Sequence, residues 1–483
     1  MDVPVVSIPK ILSERYFMFF QHVFEKGLAQ SSYIIGCQRS GSAMVIDPKR
    51  DIDTYLTIAK NEKLTITHVT ETHIHADFLS GARELAAATG AEILLSDEGG
   101  AEWQYQYPHT SLKDGSTFMI GNLKIEVMHT PGHTPEHICF LLTDMPVSEK
   151  PIMFFSGDFV FVGDIGRPDL LEKAAGVVGT MEIGAKQMFN SLKRFKQLPD
   201  YIQLWSGHGA GSACGKALGA IPCSTVGYEK MTNWALQIDD EAKFVATLLD
   251  GQPEPPKYFA KMKELNKIGA PVLGGGFKPK LLTAQEFDEA KRKGMAIVDS
   301  RHKDTFAKGH IPGSLNIQDN ASFSTWAGWM LSYNEPFMVI APEKAIGEIT
   351  NKLIRIGLDN IYGYIPNVEE WAALGGELEP MHQITVQELS KRMGEEGLSV
   401  IDVRATSEYK DGHIAGVKHI HGGYIINRLD EVPRTGNVIL QCATGNRSSV
   451  AASVLMREGI HNVANLIGGI EAWREAGFPV EKN

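Results

Sequence analysis

The chain has 483 residues, of which 43% are hydrophobic and 22% are charged, and its formal net charge is −11. This length suits about three domains of ~150 residues each. The negative charge argues against binding to nucleic acid or to an anionic membrane surface, because both need basic patches on the protein. The sequence contains no run of about 18 apolar residues, so we expect no membrane span. Its five cysteines are too few and too dispersed for a disulfide framework, which favours a reducing cytoplasmic location.

The N-terminal region alternates between strand and helix patterns, which is typical of sheets covered by helices. Strands are predicted at 32–35, 43–46, 64–69 and 93–95, and a helix at 53–62. A second helix is expected through 83–88, with Asp77 as its N-terminal cap and Gly90 as its end.

A cluster of metal-binding residue types follows the strand at 64–69. The stretch Thr72-His73-Ile74-His75-Ala76-Asp77-Phe78 places two imidazoles and a carboxylate within five residues. Neutral imidazole and carboxylate together suit divalent first-row metal ions. A polar surface turn is the alternative interpretation of this stretch.

Three later strands also end in a glycine-containing turn that presents one histidine or aspartate. They are the strand at 124–128 with His133, the strand at 152–155 with Asp158, and the strand at 201–205 with His208. Glycine lets the backbone turn tightly without a Cβ clash. Because four strand ends carry metal-ligand residue types, we predict that they converge on one site.

These motifs resemble the metallo-β-lactamase superfamily: the His-x-His-x-Asp cluster, the turn at 130–134, the turn at 156–158 and the late Gly-His. The resemblance covers about residues 15–265 and implies an αββα sandwich with the metal between strand ends. The binuclear zinc hydrolases of that superfamily have another histidine directly after the aspartate, where this sequence has Phe78. Because that imidazole is a ligand of the second metal, we expect a site for one metal ion.

A narrower resemblance, to the persulfide dioxygenases of the superfamily, implies one Fe(II) per chain held by His73, His133 and Asp158. Such a set of two histidines and one carboxylate leaves open positions for a substrate sulfur and O₂.

Further residues would then support these ligands. The resemblance implies that His75, Asp77 and His208 orient the ligands or form hydrogen bonds to metal-bound water. His129 and His137 match no ligand position, and we interpret them as ordinary polar residues.

Three residues are expected to bind the substrate. The resemblance implies that Arg167 faces an anionic thiol, since a guanidinium fork suits a carboxylate or a phosphate. An ion pair with Asp164 or Asp169 is the alternative for this side chain. Cys214 and Lys216 belong to a glycine-rich loop, which would bring the thiol near the iron and the ammonium near acidic groups of the substrate.

A domain boundary is predicted near 268–280, where glycine and proline interrupt the pattern. Beyond it, the segments at 297–301 and 309–313 recur about 100 positions later, and a period of that length indicates two copies of one small α/β domain. We therefore expect domains at 1–268, 269–380 and 381–483.

Both copies resemble the rhodanese family through an Asp-x-Arg strand end and a Gly-His-Ile-x-Gly turn. The second copy also has Cys442 at the start of a loop that ends at Arg447. Backbone N–H groups at a helix N-terminus, with this arginine nearby, would stabilise a thiolate or a bound persulfide anion. Four residues separate the cysteine from the arginine, whereas the related phosphatases have five, and this favours sulfur transfer over dephosphorylation.

The first copy lacks these groups. Its equivalent strand at 337–340 leads into Ala341-Pro342-Glu343-Lys344, which contains neither cysteine nor arginine. We expect it to be catalytically inactive and to pack against other domains or another chain.

Together the resemblances imply a multidomain α/β enzyme that oxidises a low-molecular-weight thiol persulfide with O₂ to sulfite and thiol. Cys442 would carry sulfane sulfur to sulfite with formation of thiosulfate, in a pathway of sulfide detoxification. Its partners are then small molecules, without nucleic acid or membrane, and a homo-oligomer is expected. Two alternatives stay open: a zinc-dependent thioester hydrolase resembling glyoxalase II, and a non-oxidative sulfur-carrier protein.

Overall fold

The computed structural model describes residues 18–175, 179–212, 214–216 and 218–482. The ends of the expected outer domains, at 1–17 and 483, lie outside these ranges. In the described part of the N-terminal region, the strand-forming runs pair into two sheets of six strands each.

Strands of the first sheet lie side by side in chain order. They are β1 (Met18–Glu25), β2 (Gln30–Cys37), β3 (Ser42–Ile46), β4 (Thr65–Thr70), β5 (Glu92–Ser96) and β6 (Thr110–Leu112). The second sheet has the spatial order β12-β11-β10-β9-β8-β7. Its strands are β7 (Thr117–Ile120), β8 (Leu123–His129), β9 (Ile138–Asp144), β10 (Met153–Gly157), β11 (Gln203–Ser206) and β12 (Ser224–Thr225).

Helices of this region pack on both sheets and between the sheets and the domains that follow. They are α1 (Asp53–Asn61), α2 (Ala82–Thr89), α3 (Leu170–Ala175), α4 (Thr180–Phe195), α5 (Val226–Thr232), α6 (Glu241–Leu249) and α7 (Phe259–Ile268). Tyr33 and Phe140 belong to a core between the two sheets. Tyr55 and Leu85 pack α1 and α2 on the first sheet, and Phe189 packs α4 on the second. This four-layer order is the αββα sandwich that was expected, and the prediction is confirmed.

The start of α2 differs from the prediction. The helix begins at Ala82 after Gly81, and Asp77 lies too far upstream to cap it. The carboxylate of Asp77 is instead buried among the polar residues at the strand ends. The helix end agrees with the prediction, because Gly90 adopts the left-handed conformation with φ of 74°.

Two smaller parallel sheets follow. The first contains β13 (Ala296–Asp299), β14 (Leu315–Asn316), β15 (Phe337–Ile340) and β16 (Ile361–Ile365), in the order β14-β13-β15-β16. Its helices are α8 (Ala284–Arg292), α9 (Lys303–Lys308), α10 (Phe323–Met330), α11 (Glu343–Ile354) and α12 (Glu369–Ala372). The second contains β17 (His382–Ile384), β18 (Leu398–Asp402), β19 (Lys418–His419), β20 (Asn437–Gln441) and β21 (Val463–Leu466), in the order β17-β21-β20-β18-β19. Its helices are α13 (Val386–Arg392), α14 (Thr406–Asp411), α15 (Asn446–Arg457) and α16 (Gly469–Glu475).

The sequence repeat produces the same local structure twice. Arg301 donates from Nη2 to Asp299 Oδ2 at 2.6 Å and to the carbonyl of Gly309. Arg404 makes the same pair with Asp402 at 2.6 Å and the same bond to the carbonyl eight residues later. Each arginine links a strand end to the following turn by hydrogen bonds, so the repeated motif has a structural role.

The three parts of the chain share one hydrophobic cluster. It joins Phe78 and Phe161 of the sandwich to Trp326 of the second domain and to Ile425 and Val450 of the third. Among the helices that the structure describes, none combines the length and the apolar composition needed to cross a lipid bilayer.

Candidate metal centre and candidate catalytic cysteine

Three strand ends bring His73, His133 and Asp158 together. One donor atom from each lies within 4.8 Å of the others. Asp158 Oδ2 is 4.0 Å from His73 Nε2 and 3.5 Å from His133 Nε2. All three residues are buried. His133 Nδ1 is 2.8 Å from the carbonyl of Arg167, so its N–H donates there and its Nε2 presents a lone pair to the centre.

The charges of this trio suit a divalent cation. Among the described residues, His73 Nε2 and Asp158 Oδ2 have no hydrogen-bond partner. Buried polar atoms without partners are costly, and a bound metal ion removes that cost. Burial lowers the pKa of His73 and lowers the pKa of His133 to about 4, so both imidazoles are neutral as metal ligands must be. Burial raises the pKa of Asp158, but the positive charge of His208 outweighs burial and holds it well below the usual range.

His75 lies beside His73, with ring centroids 4.1 Å apart, and its Nε2 faces carboxylates outside the trio. Its Nε2 lies 3.1 Å from Asp47 Oδ1 and 3.1 Å from Glu71 Oε2. Burial opposes protonation, but these two carboxylates raise the pKa of His75 well above its ordinary value. Asp47 also accepts from the N–H and the hydroxyl of Thr72, at 2.7 and 2.9 Å. Asp47, which pairs with His75, therefore also holds the backbone that carries His73.

A second group of donor atoms adjoins the first. Asp77, His208 and Cys214 each offer an atom within 4.8 Å of the others, and all three are buried. His208 Nε2 is 3.4 Å from Asp77 Oδ2 and 3.4 Å from Asp158 Oδ1. Burial raises the pKa of Cys214 to about 12, so its thiol is protonated unless a cation binds. These residues were expected around the metal, but their grouping with one another was not predicted.

The position after Asp77 is filled by an aromatic ring. Phe78 is buried, and its ring centroid lies 4.3 Å from that of His75. This ring places an apolar side chain beside the cluster of histidines. A drier site strengthens the charge interactions within it.

The interpretation of His137 as an ordinary polar residue is wrong. His137 is fully buried and its Nε2 accepts a hydrogen bond of 3.0 Å from the N–H of Asp158. Its Nδ1 contacts Thr130 Oγ1 at 2.8 Å, and its ring stacks 5.1 Å from His73. It therefore positions Asp158. Sequence spacing offers no signal for this role, since the bond depends on how β9 packs beside β10.

Two of the expected substrate-binding residues contact other groups. Arg167 is completely buried, and its Nε and Nη2 bind the carboxylate of Asp169 at 2.7 Å each. This ion pair, rather than an exposed guanidinium that faces a substrate, is the arrangement in the structure. Lys216 lies at the surface and donates from Nζ to the carbonyl of Thr247 at 2.9 Å. Its ammonium is thereby held at α6.

Cys442 occupies the start of the loop before α15. Its Sγ receives the N–H of Gly445 at 3.2 Å and the hydroxyl of Ser448 at 3.3 Å. Gly445 takes the left-handed conformation, with φ of 89°, which lets the loop curl around the sulfur. Arg447 donates to both carboxylate oxygens of Glu408, at 2.5 and 2.7 Å. Sequence reasoning identified the cysteine and the arginine but missed the serine donor.

The equivalent place in the second domain has no nucleophile. Ala341 follows β15 as Cys442 follows β20, and it is buried. The loop continues with Pro342, which caps α11.

Comparisons with known proteins agree with this domain order. The family profile described as metallo-beta-lactamase superfamily matches residues 26–208, and the profile described as rhodanese-like domain matches 283–374 and 385–476. A crystal structure of a metallo-beta-lactamase from Staphylococcus aureus subsp. aureus COL has a TM-score of 0.65 and 44% sequence identity, and the match covers 72% of this chain and 98% of that chain.

Curated relatives of the first domain include hydrolases. The hydroxyacylglutathione hydrolase of Rhodospirillum rubrum is 32% identical over 178 residues, which is 36% of this chain and 60% of that protein. The probable polyketide biosynthesis zinc-dependent hydrolase BaeB of Bacillus velezensis is 27% identical over 191 residues, which is 39% of this chain and 77% of that protein. This chain thus spans about three fifths of the length of the first of these relatives.

Proposed function

Since residues 26–208 belong to the metallo-β-lactamase superfamily and two rhodanese-like domains follow, we propose that the chain is a persulfide dioxygenase joined to a sulfurtransferase. The overall oxidation is RSSH + O₂ + H₂O → RSH + SO₃²⁻ + 2H⁺. Electrons pass from the outer sulfur to O₂, the S–S bond of the persulfide breaks, and the carrier is released as the thiol RSH. The first rhodanese-like domain is the inactive copy and the second is the active one.

The observation that carries this proposal is the donor set of the first centre. Two neutral imidazoles, His73 and His133, and the ionised Asp158 converge, while His75 is held by carboxylates of its own. Two histidines and a carboxylate are the usual ligands of non-haem Fe(II) in oxygenases. Bound Fe(II) supplies a place where a persulfide sulfur and O₂ react side by side.

The protein's own residues prepare that place. His137 holds the backbone of Asp158, and the carbonyl of Arg167 fixes the tautomer of His133. Phe78 and Phe161 limit the access of water, since both are buried in the cluster shared with the rhodanese-like domains. A dry site protects the persulfide from side reactions.

Cys442 performs the second reaction. It takes the outer sulfur of a thiol persulfide, Cys442–S⁻ + RSSH → Cys442–S–S⁻ + RSH, and the donors of Gly445 and Ser448 stabilise the negative charge. Transfer to sulfite follows Cys442–S–S⁻ + SO₃²⁻ → Cys442–S⁻ + S₂O₃²⁻. The S–S bond of the enzyme persulfide breaks, and a new S–S bond forms in thiosulfate.

A second candidate is a zinc-dependent thioester hydrolase. It is favoured by the hydrolase relatives and by the adjoining donors Asp77, His208 and Cys214, which offer a place for another ion. A zinc ion bound at this site would catalyse hydrolysis instead of oxidation.

One experiment separates the two candidates. The protein is loaded anaerobically with iron or with zinc, and each form is given glutathione persulfide with O₂ or S-lactoylglutathione without it. We expect O₂ uptake and sulfite from the iron form alone, and no thioester cleavage by either form. Thioester cleavage by the zinc form without O₂ uptake by the iron form would establish the hydrolase.

We also propose a reducing cytoplasmic setting, in which the cysteines, free in the structure, would persist as thiols. Association into a homo-oligomer stays a prediction, which sedimentation analysis would check.

A further inference from the structure

Three polar side-chain atoms beside the metal centre are buried without a hydrogen bond. Within the described residues, Glu136 Oε2, Lys263 Nζ and Tyr105 Oη have no hydrogen-bond partner. One is an anion, one is a cation and one is a neutral hydroxyl. Burying such atoms without a hydrogen bond costs free energy, and a bound ligand that supplies the bond removes that cost. None of the three takes part in the roles described above.

Glu136 is attached to the metal-binding backbone. Its Oε1 accepts a hydrogen bond of 2.8 Å from the N–H of Ile74, the residue directly after His73. It also lies three residues after His133, so both ligand segments determine its position. Burial raises the pKa of Glu136, and the charge of Lys263 opposes this effect.

Lys263 is brought to the same place by α7. Asn266, three residues further along that helix, donates to the carbonyls of His75 and Phe78 at 2.8 and 2.7 Å. Residues three apart lie on one helix face, so the face that binds the metal loop also presents Lys263. Burial lowers the pKa of Lys263 to about 8, although the negative charge of Glu136 acts to raise it. The stem of this lysine is partly exposed, while its Nζ is buried.

Aromatic rings complete the surroundings. Lys263 Nζ lies 4.7 Å from the ring centroid of Trp103, a distance at which an ammonium and an aromatic face attract. Tyr105 is buried, and its ring packs in a small cluster with Ile74. The three polar groups thus come from three separate segments that meet at the metal-binding loop.

We propose that Lys263, Glu136 and Tyr105 bind the zwitterionic amino-acid part of the thiol that carries the persulfide. This inference rests on the proposed function and names its substrate class. The ammonium of Lys263 pairs with the substrate's carboxylate, and Glu136 pairs with its α-ammonium. A small thiol amino acid, or a peptide thiol with a free α-amino-acid end, satisfies both charges. A thiol with only one of the two charges leaves one protein group unpaired.

The test is anaerobic binding of thiols to the iron-loaded protein, measured by calorimetry. The probes are L-cysteine, cysteamine without the carboxylate, and 3-mercaptopropionate without the ammonium. All three share the sulfur, so differences among them report the two charged groups. We expect cysteine to bind about ten- to hundredfold more tightly than either of the others, because hydrogen bonds to charged groups contribute ~1.5–3 kcal/mol. No O₂ is needed, so failure of the dioxygenase proposal would not alter this result.

Two variants assign the charges. Lys263→Met should weaken the binding of 3-mercaptopropionate and cysteine but leave the binding of cysteamine unchanged. Glu136→Gln should weaken the binding of cysteamine and cysteine but leave the binding of 3-mercaptopropionate unchanged. Both replacements keep the side-chain volume, and glutamine still accepts from Ile74. Lys267→Met, on the same helix, is the control, since Lys267 Nζ donates to the carbonyl of Glu102 at 2.8 Å. Equal binding of the three thiols to the unaltered protein, or equal losses in both variants, would overturn the proposal.

Discussion

Lys303, in the second domain, donates a hydrogen bond of 2.7 Å from Nζ to Asn446 Oδ1 in the third. Asn446 begins α15 and stands between Gly445, whose N–H faces Cys442 Sγ, and Arg447. The domain without a nucleophile thus contributes a cation to the loop of the domain that has one. A further bond between the two domains joins Ser449 to Asn316 at 2.7 Å.

Replacing Lys303 by methionine should slow sulfur transfer about tenfold, because a hydrogen bond from a charged donor contributes ~1.5 kcal/mol. Thiosulfate formation from glutathione persulfide and sulfite measures the effect. O₂ uptake should not change. Lys308→Met, at the exposed end of the same helix, is the control. Equal rates in the two variants would show that the contact has no catalytic consequence.

Replacing Cys442 by serine should abolish sulfur transfer and leave O₂ uptake intact, because only the third domain loses its nucleophile. Ser448→Ala should lower the transfer rate about tenfold, since it removes one of the donors to the sulfur. Trapping and mass analysis of the enzyme persulfide report both changes. Transfer that survives Cys442→Ser would mean that another thiol carries the sulfur.

Replacing Phe78 by histidine should increase zinc content from about one to about two ions per chain, because the new imidazole joins Asp77 and His208 as a ligand. O₂ uptake by the iron-loaded variant should fall. Phe78→Leu is the matched control, since leucine keeps an apolar side chain there and adds no ligand. Zinc content of two already in the unaltered protein would contradict the one-metal site.

A buried ion pair joins the sandwich to the second domain. Arg355 donates from Nε and Nη2 to the two carboxylate oxygens of Asp51, at 2.7 Å each. Arg355→Met should destabilise the protein by about 3 kcal/mol, because Asp51 then keeps only Lys49 as an ion-pair partner and Glu25 loses its arginine. Chemical denaturation measures the loss, and the double variant with Asp51→Asn should recover much of it. Equal stability of single variant and unaltered protein would show that the pair contributes nothing.

The same pair predicts a pH dependence of stability. Burial alone would raise the pKa of Asp51, but the hydrogen bond and charge of Arg355 outweigh it and lower the pKa below the ordinary value. The unfolded chain has a carboxyl pKa of about 3.9. The contribution of the pair is therefore complete above that pH and is lost as the pH falls through the lower, folded value. Denaturation midpoints at pH 7 and at pH 3 should differ more for the unaltered protein than for Asp51→Asn.

Much of the fold was predictable because local patterns carry it. The strand-like runs, the strand-end glycines and the repeated Asp-x-Arg motif each depend on neighbouring residues. The sandwich and the two α/β copies follow from them. The repeat even produces the same hydrogen-bond pattern at Arg301 and at Arg404.

Other features depend on packing between distant segments, and the sequence holds no local signal for them. His137 reaches Asp158 only because two strands lie side by side. Lys263 reaches the metal loop through a helix that follows the sandwich sheets. Arg167 and its near neighbour Asp169 fit either an ion pair or a substrate contact by spacing alone, and burial favours the pair. Whether His73, His133 and Asp158 bind iron stays a prediction.

The most direct measurement uses the Cys442→Ser variant, loaded anaerobically with iron, so that sulfite is not consumed by transfer. Glutathione persulfide is added at a known amount, and O₂ uptake and sulfite are followed together. We expect one O₂ consumed and one sulfite formed for each persulfide oxidised, with neither in His73→Ala. Absence of O₂ uptake with iron bound would contradict the dioxygenase, and sulfur transfer by the unaltered protein in the same absence would identify a sulfur carrier.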